Sequence, residues 1–157
     1  MGAPGDTLVI GLGNPLRGDD GIGVRVVQSL AEQRLPDSVE VVDGGTQGLE
    51  LVNVMEGWSR VILVDAAHVG KMPGQFVRFG LDEVELLDGE EPLSVHAAGL
   101  RDALLLAKAL GVLPDEVVVF GVQPATLEWR NGLSPEVEAT LPSLIAAVFS
   151  EAATSNP

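Results

Sequence analysis

Apolar residues follow two rhythms that alternate along the chain. Leu8-Val9-Ile10 is a short unbroken apolar run, as a strand covered on both faces requires. Ile22, Val26, Val27 and Leu30 then recur at helical spacing and predict a helix over 21–34, ended before Pro36. Val39 to Asp43 reads as a second strand closed by Gly44-Gly45-Thr46, and 49–56 as a helix with Leu49, Val52 and Met55 on one face. Arg60 to Asp65 is a third strand. Gln75 to Phe79 alternates Phe76 and Arg78 with Val77 and Phe79, which predicts a fourth strand with an exposed face or an edge position. The acidic stretch from Leu81 to Pro92 reads as a short surface helix and a loop. Residues 94–100 lead into an apolar helix that runs to about Leu110 and stops at Gly111; Glu116 to Val122 is a valine-rich fifth strand. Ser134-Pro135 is an N-cap followed by proline at the first helical position, opening a last helix to about Ser150, with a kink or break expected at Pro142. Such alternation predicts one α/β domain over 1–150, a largely parallel sheet in a three-layer α/β/α arrangement, with 151–157 a disordered tail.

The chemistry gathers where strands end. Between the first strand and its helix stand Gly11-Leu-Gly-Asn-Pro-Leu-Arg-Gly-Asp-Asp-Gly21. Asn14-Pro15 keeps Asn14 out of the helical region, so the chain turns before the helix begins. Asp19 and Asp20 follow; one aspartate caps a helix well, but one cap does not explain two. A dinucleotide-binding turn fails here, because Leu16 occupies the third glycine position and two carboxylates would face a pyrophosphate. In a parallel sheet the C-terminal strand ends face one crevice, and the pattern sends Asp43 and Asp65 there as well. The two histidines, His68 and His96, both fall in loops. Two carboxylates and an imidazole make a ligand set for a divalent first-row metal with positions left open. The same residues also read as a cap (Asp65) and as an imidazole bonded near a helix start (His96), and the pattern leaves both readings standing.

Composition narrows the partners. The chain has 157 residues, 46% of them hydrophobic, with 9 basic and 23 acidic side chains for a formal charge of −14. Such a surface repels nucleic acid and anionic membranes. The absence of cysteine removes disulfides, thiolate ligands and a cysteine nucleophile. Residues 1–6 show neither a basic nor an apolar leader segment, and no apolar run reaches membrane-spanning length, so a cytoplasmic protein is expected.

Gly11-Leu-Gly-Asn-Pro-Leu-Arg-Gly-Asp-Asp-Gly-Ile-Gly-Val24, Asp43-Gly-Gly-Thr46, Val64-Asp65-Ala66, Ser94-Val-His96, Gly121-Val-Gln-Pro124 and Gly132-Leu-Ser-Pro135 occur in this order. The ordered set resembles the hydrogenase maturation endopeptidases from about Leu8 to Phe149. That family removes a C-terminal extension from the large-subunit precursor of nickel–iron hydrogenase once nickel is inserted. The resemblance implies a mixed five-stranded sheet whose fourth strand is antiparallel. It also implies a catalytic, metal-contacting set of Asp20, Asp65 and His96, with Asp19 at a position that is also commonly acidic. The Asp43-Gly44-Gly45-Thr46 turn is implied to recognise the precursor. Nickel then arrives with the substrate, although other divalent cations suit the same donors. His68 is expected to be a dispensable, solvated loop residue. Two other readings stay open at this point. A nickel carrier could use the same ligands without cutting, and Gly11-Leu-Gly-Asn-Pro15 is similar to the opening of peptidyl-tRNA hydrolase. That enzyme needs a histidine soon afterwards and a basic surface, where this chain has Asp19-Asp20 and a charge of −14.

Overall fold

Four valine- and isoleucine-rich runs become the parallel strands of a single sheet. A computed structural model describes residues 6–46, 48–86 and 97–154. The strands are β1 (Thr7–Leu12), β2 (Val39–Gly45), β3 (Arg60–Ala66), β4 (Phe76–Gly80) and β5 (Glu116–Val122), in the spatial order β2-β1-β3-β5-β4. All neighbours are parallel except β4, which runs antiparallel to β5 along one edge. Its half-exposed Phe76 and Val77 and exposed Arg78 explain the alternation in the sequence. The helices are α1 (Ile22–Ala31), α2 (Leu51–Met55), α3 (Leu81–Leu86), α4 (Ala97–Leu110) and α5 (Pro135–Ala153).

Strand alternation divides the core into two layers. Val9, Ile62, Val64, Val118 and Phe120 pack with Val26, Leu30, Leu144 and Val148 of α1 and α5. Leu8, Ile10, Val61, Leu63 and Val119 pack on the opposite face with Leu51, Met55, Leu104 and Ala107 of α2 and α4. Covering both faces is what makes these strands apolar throughout rather than alternating. Helix α1 lies against the sheet backbone to backbone. A Cβ on Gly23 would sit 2.3 Å from the Val64 carbonyl oxygen and 2.4 Å from that of Leu12. One on Gly11 would sit 2.2 Å from the Gly23 oxygen, so only glycine permits this approach.

The main departures from the sequence pattern are in the helices, and α1 ends at Ala31 rather than at residue 34. Helix α2 begins at Leu51 rather than Leu49, and Leu49 is exposed, because Leu51, Val52 and Met55 form the buried face. Helix α5 passes through Pro142 without a break. Leu141, Leu144 and Val148 are buried on either side of it and hold both halves against the sheet, while Pro142 itself faces solvent. The same helix continues to Ala153, so residues 151–153 are helical and not part of a tail. There the buried Arg60 guanidinium reaches across from β3 to the Glu151 carboxylate (3.0 Å) and donates to the Glu151 carbonyl oxygen. Its Nε lies 3.2 Å from Glu116, an ion pair without hydrogen-bond alignment. Arg78 pairs with Glu151 as well. This ionic clasp closes the N-terminal end of the sheet, opposite the strand ends that carry Asp65 and the loop after β1.

Candidate active site

Strand β1 has β2 on one side and β3 on the other. The chain therefore leaves β1 in one direction and returns to its other flank, which opens a crevice at the C-terminal ends of β1 and β3. Asp19, Asp20, Asp43 and Asp65 all lie in or next to the segments around that switch point. After β1, Asn14 Oδ1 accepts the Leu16 N–H (2.9 Å) in a turn closed before Asn-Pro can become helical. A single 3-10 turn, Gly18–Gly21, follows and joins α1 directly. It contains both aspartates, 1% and 0% exposed.

The two neighbours have separate roles. Asp19 Oδ2 accepts the N–H groups of Ala125 (2.8 Å) and Thr126 (3.1 Å) and the Ser134 hydroxyl (2.8 Å); its Oδ1 accepts the Ser134 N–H (2.7 Å). It fastens the loop after β5 and the start of α5 to the loop after β1. Ser134 serves twice, since its hydroxyl oxygen also accepts from Val137 N–H as the cap of α5. Asp20 turns the other way. Its Oδ2 accepts the Asn14 N–H (2.8 Å), which places the carboxylate beside the end of β1. Asp65 lies near the end of β3, one residue beyond Val64, the partner of Gly11 in β1. It is 1% exposed and shares the face of Val61 and Leu63, the side covered by α2 and α4. His96 lies outside the described residues; α4 begins at the next position, Ala97. His68 is exposed in the loop after β3. Among the described residues no group of three His, Cys, Asp or Glu side chains forms a metal site.

The turn expected to recognise substrate lies on the other flank of β1. Asp43 pairs with Gly11, and a register shift then sets Gly45 opposite Leu12. Asp43 Oδ1 accepts the Gly45 N–H (2.8 Å), and the Gly45 carbonyl oxygen accepts the Gly13 N–H (2.7 Å). Gly45 has φ of +57°, and a Cβ added there would meet nothing within 4 Å. Its backbone needs glycine, while the space beside it is open. Thr46 is exposed at the tip.

One feature of this rim was not legible as chemistry in the sequence. The loops after β1 and β5 are joined by a bridge between Arg17 and Arg130, with Arg130 N–H donating to the Leu16 carbonyl oxygen and Gly18 N–H to that of Arg130. The Arg17 guanidinium lies over the Trp129 ring, 5.5 Å from its centroid. A hollow of about 410 Å³ beside Lys71, Phe76 and Thr140 lies against β4 and α5, away from the switch point, and among the described residues no carboxylate lines it. No described helix is long and apolar enough to cross a membrane.

Residues 24–151 match the model of a family described as hydrogenase maturation protease. The hydrogenase 2 maturation protease of Escherichia coli is 40% identical over 145 residues, spanning 90% of this chain and 87% of its own. The hydrogenase expression/formation protein HupD of Bradyrhizobium diazoefficiens is 41% identical over 132 residues, 83% of this chain and 69% of that one. The solved hydrogenase maturating endopeptidase HybD from Escherichia coli superposes with a TM-score of 0.84 at 36% identity, over 93% of this chain and 91% of the other.

Proposed function

This chain belongs to the hydrogenase maturation protease family, and from that premise we propose that it removes the C-terminal extension of a nickel–iron hydrogenase large-subunit precursor already loaded with nickel. It is a hydrolase, an endopeptidase. The family match decides against the peptidyl-tRNA hydrolase reading, and the charge of −14 agrees with a partner other than nucleic acid.

The observation that carries the finer reading is the burial of Asp20 and Asp65 at the ends of adjacent strands, on either side of one switch point. Asp19 is engaged in joining the loops after β1 and β5. Asp20 and Asp65 are the acids at the crevice itself, and a divalent cation brought by the precursor suits their charge and oxygen donors. His96, next to the start of α4, is the proposed third ligand. Nickel is thus part of the substrate, and an incomplete ligand set in the protease recognises only precursor that carries it.

Water is the nucleophile in this scheme. Its oxygen bonds to the scissile carbonyl carbon, the carbon–nitrogen bond breaks, and a proton passes to the departing amine. Two activations use the same residues: a carboxylate that accepts the water proton, or nickel that polarises water or carbonyl. The turn from Asp43 to Thr46 receives the extended substrate segment beside β2. Intact mass measurement of nickel-loaded and nickel-free precursor, each incubated with this protein, tests the proposal. Loss of the extension from the loaded form alone is the expected result. Transfer of nickel with no change in precursor mass would show a carrier instead.

A further inference from the structure

The chain is strongly acidic, yet the loops after β1 and β5 present two arginines, Arg17 and Arg130, beside Leu16 and Trp129, with Glu128 the neighbouring exposed carboxylate. Arg17 and Arg130 stand side by side in a bridge between the loops after β1 and β5. Among the described residues neither guanidinium is in an ion pair, while Arg25, Arg60 and Arg78 all are. The Arg17 Nε is buried without a hydrogen-bond partner, which leaves the stack on Trp129 as what orients this guanidinium. Trp129 is 74% exposed and Leu16 is 59% exposed. Large apolar side chains presented next to a cation on a surface mark recognition more than folding.

The platform is also rigid. Leu16, Gly18 and Arg130 exchange backbone hydrogen bonds, and Asp19 ties both loops together through four more. Arg17 leads directly into the turn that carries Asp20, because its carbonyl oxygen accepts the Asp20 N–H (3.1 Å). Whatever rests on Arg17 and Trp129 is therefore held in fixed register with the crevice.

We propose that Leu16, Arg17, Trp129 and Arg130 form a docking surface for the precursor, receiving an acidic side chain on Arg17 and Arg130 and an adjoining apolar side chain on Trp129 and Leu16. Charge complementarity selects this occupant. Two unpaired guanidiniums on a chain of −14 attract a carboxylate, and the exposed indole and leucine receive its apolar neighbour. The inference rests on the reading of this protein as the precursor's protease. It adds a subsite that binds without taking part in bond cleavage.

Arg17→Gln, Arg17→Lys and Trp129→Ala test it, since all three spare the backbone hydrogen bonds. Steady-state cleavage of nickel-loaded precursor should show KM raised about tenfold for Arg17→Gln and Trp129→Ala, with kcat nearly unchanged, the size of one well-formed charged contact. Arg17→Lys keeps the charge but loses the planar stack and should fall between. The double variant should be worse than either single one but by less than the sum of the two, because the Trp129 ring both receives the apolar side chain and orients Arg17. Added salt should raise the wild-type KM more steeply than that of Arg17→Gln. Replacing the precursor's acidic side chains near the scissile bond one at a time by amides should reveal one that reproduces the KM change and adds nothing to Arg17→Gln. Precursor binding to the Asp20→Asn protein, with and without Arg17→Gln, reads docking even where nothing is cut. Wild-type protein that binds but does not cleave would therefore overturn the protease reading and leave this one standing. Cleavage by the wild type with the same KM in the variants would overturn this one alone. So would an effect that follows only the precursor's terminal carboxylate, or a dimer that Trp129→Ala dissociates without a change in KM.

Discussion

Asp19 and Asp20 are adjacent, equally buried and chemically identical, yet their replacements should have opposite consequences. Removing the Asp19 carboxylate strands three backbone N–H groups and the Ser134 hydroxyl. At about 1–3 kcal/mol for each buried donor left unmet, Asp19→Ala should cost about 4 kcal/mol or more of stability, read as a shift of the urea midpoint. Asp20→Asn keeps an oxygen for the Asn14 N–H and should change stability by only about 1 kcal/mol, while abolishing precursor processing. The histidines should divide likewise: His96→Ala removes a proposed ligand and stops processing, whereas His68→Ala, in an exposed loop, leaves cleavage rate and melting temperature where they were. Normal cleavage by His96→Ala, with loss in His68→Ala, would reverse the assignment. The sequence could nominate both aspartates because two acids at a strand-to-helix turn exceed what one cap needs. It could not divide their labour, because the donors that claim Asp19 lie 106 to 115 positions further along the chain. The Arg17–Trp129 stack was hidden for the same reason.

Elements were legible where the signal is local and obscured where it is not. Ser134 and Pro135 announced the start of α5 with a cap that is present, but its end depends on Arg60, far away in β3, and on the burial of Ala152. Pro142 shows packing outweighing a local rule: losing one backbone bond on the solvent side costs less than unseating the buried leucine and valine positions around it. The turn ending β2 gives the sharpest prediction at this scale. A Cβ at Gly45 meets nothing within 4 Å, so Gly45→Leu should cost about 1–2 kcal/mol for its left-handed backbone while placing a bulky side chain where the substrate segment is proposed to lie. Processing per folded molecule should fall by far more than the loss of melting temperature accounts for. A large drop in stability with unchanged turnover would instead make this turn purely structural.

Across the whole molecule the two ends of the sheet carry different burdens. The C-terminal strand ends hold the crevice; the N-terminal ends hold Arg60 between Glu116 and Glu151. Arg60→Met leaves Glu116 without this cation and Glu151 with Arg78 alone, and should lower stability by about 2 kcal/mol, while kcat/KM per folded molecule stays the same. The alternation of strands and helices made the layered fold readable in advance. The strand order was not, since it depends on which edge each returning strand finds. That order sets a timetable for a chain emerging from the ribosome. Strands β2, β1 and β3 are neighbours and are complete by Ala66, so they can pair as soon as they are free. Strand β4 pairs only with β5, which begins at Glu116 and must settle between β3 and β4. At about 5–20 residues per second, several seconds of synthesis separate β4 from its partner. For that interval β3 has an unpaired flank, and Phe76 to Gly80 wait beside it with their backbone groups open to other chains. Pulse-labelled hydrogen exchange during refolding should show amides of β1 protected before those of β4, and newly made chains stalled before Glu116 should be the aggregating species.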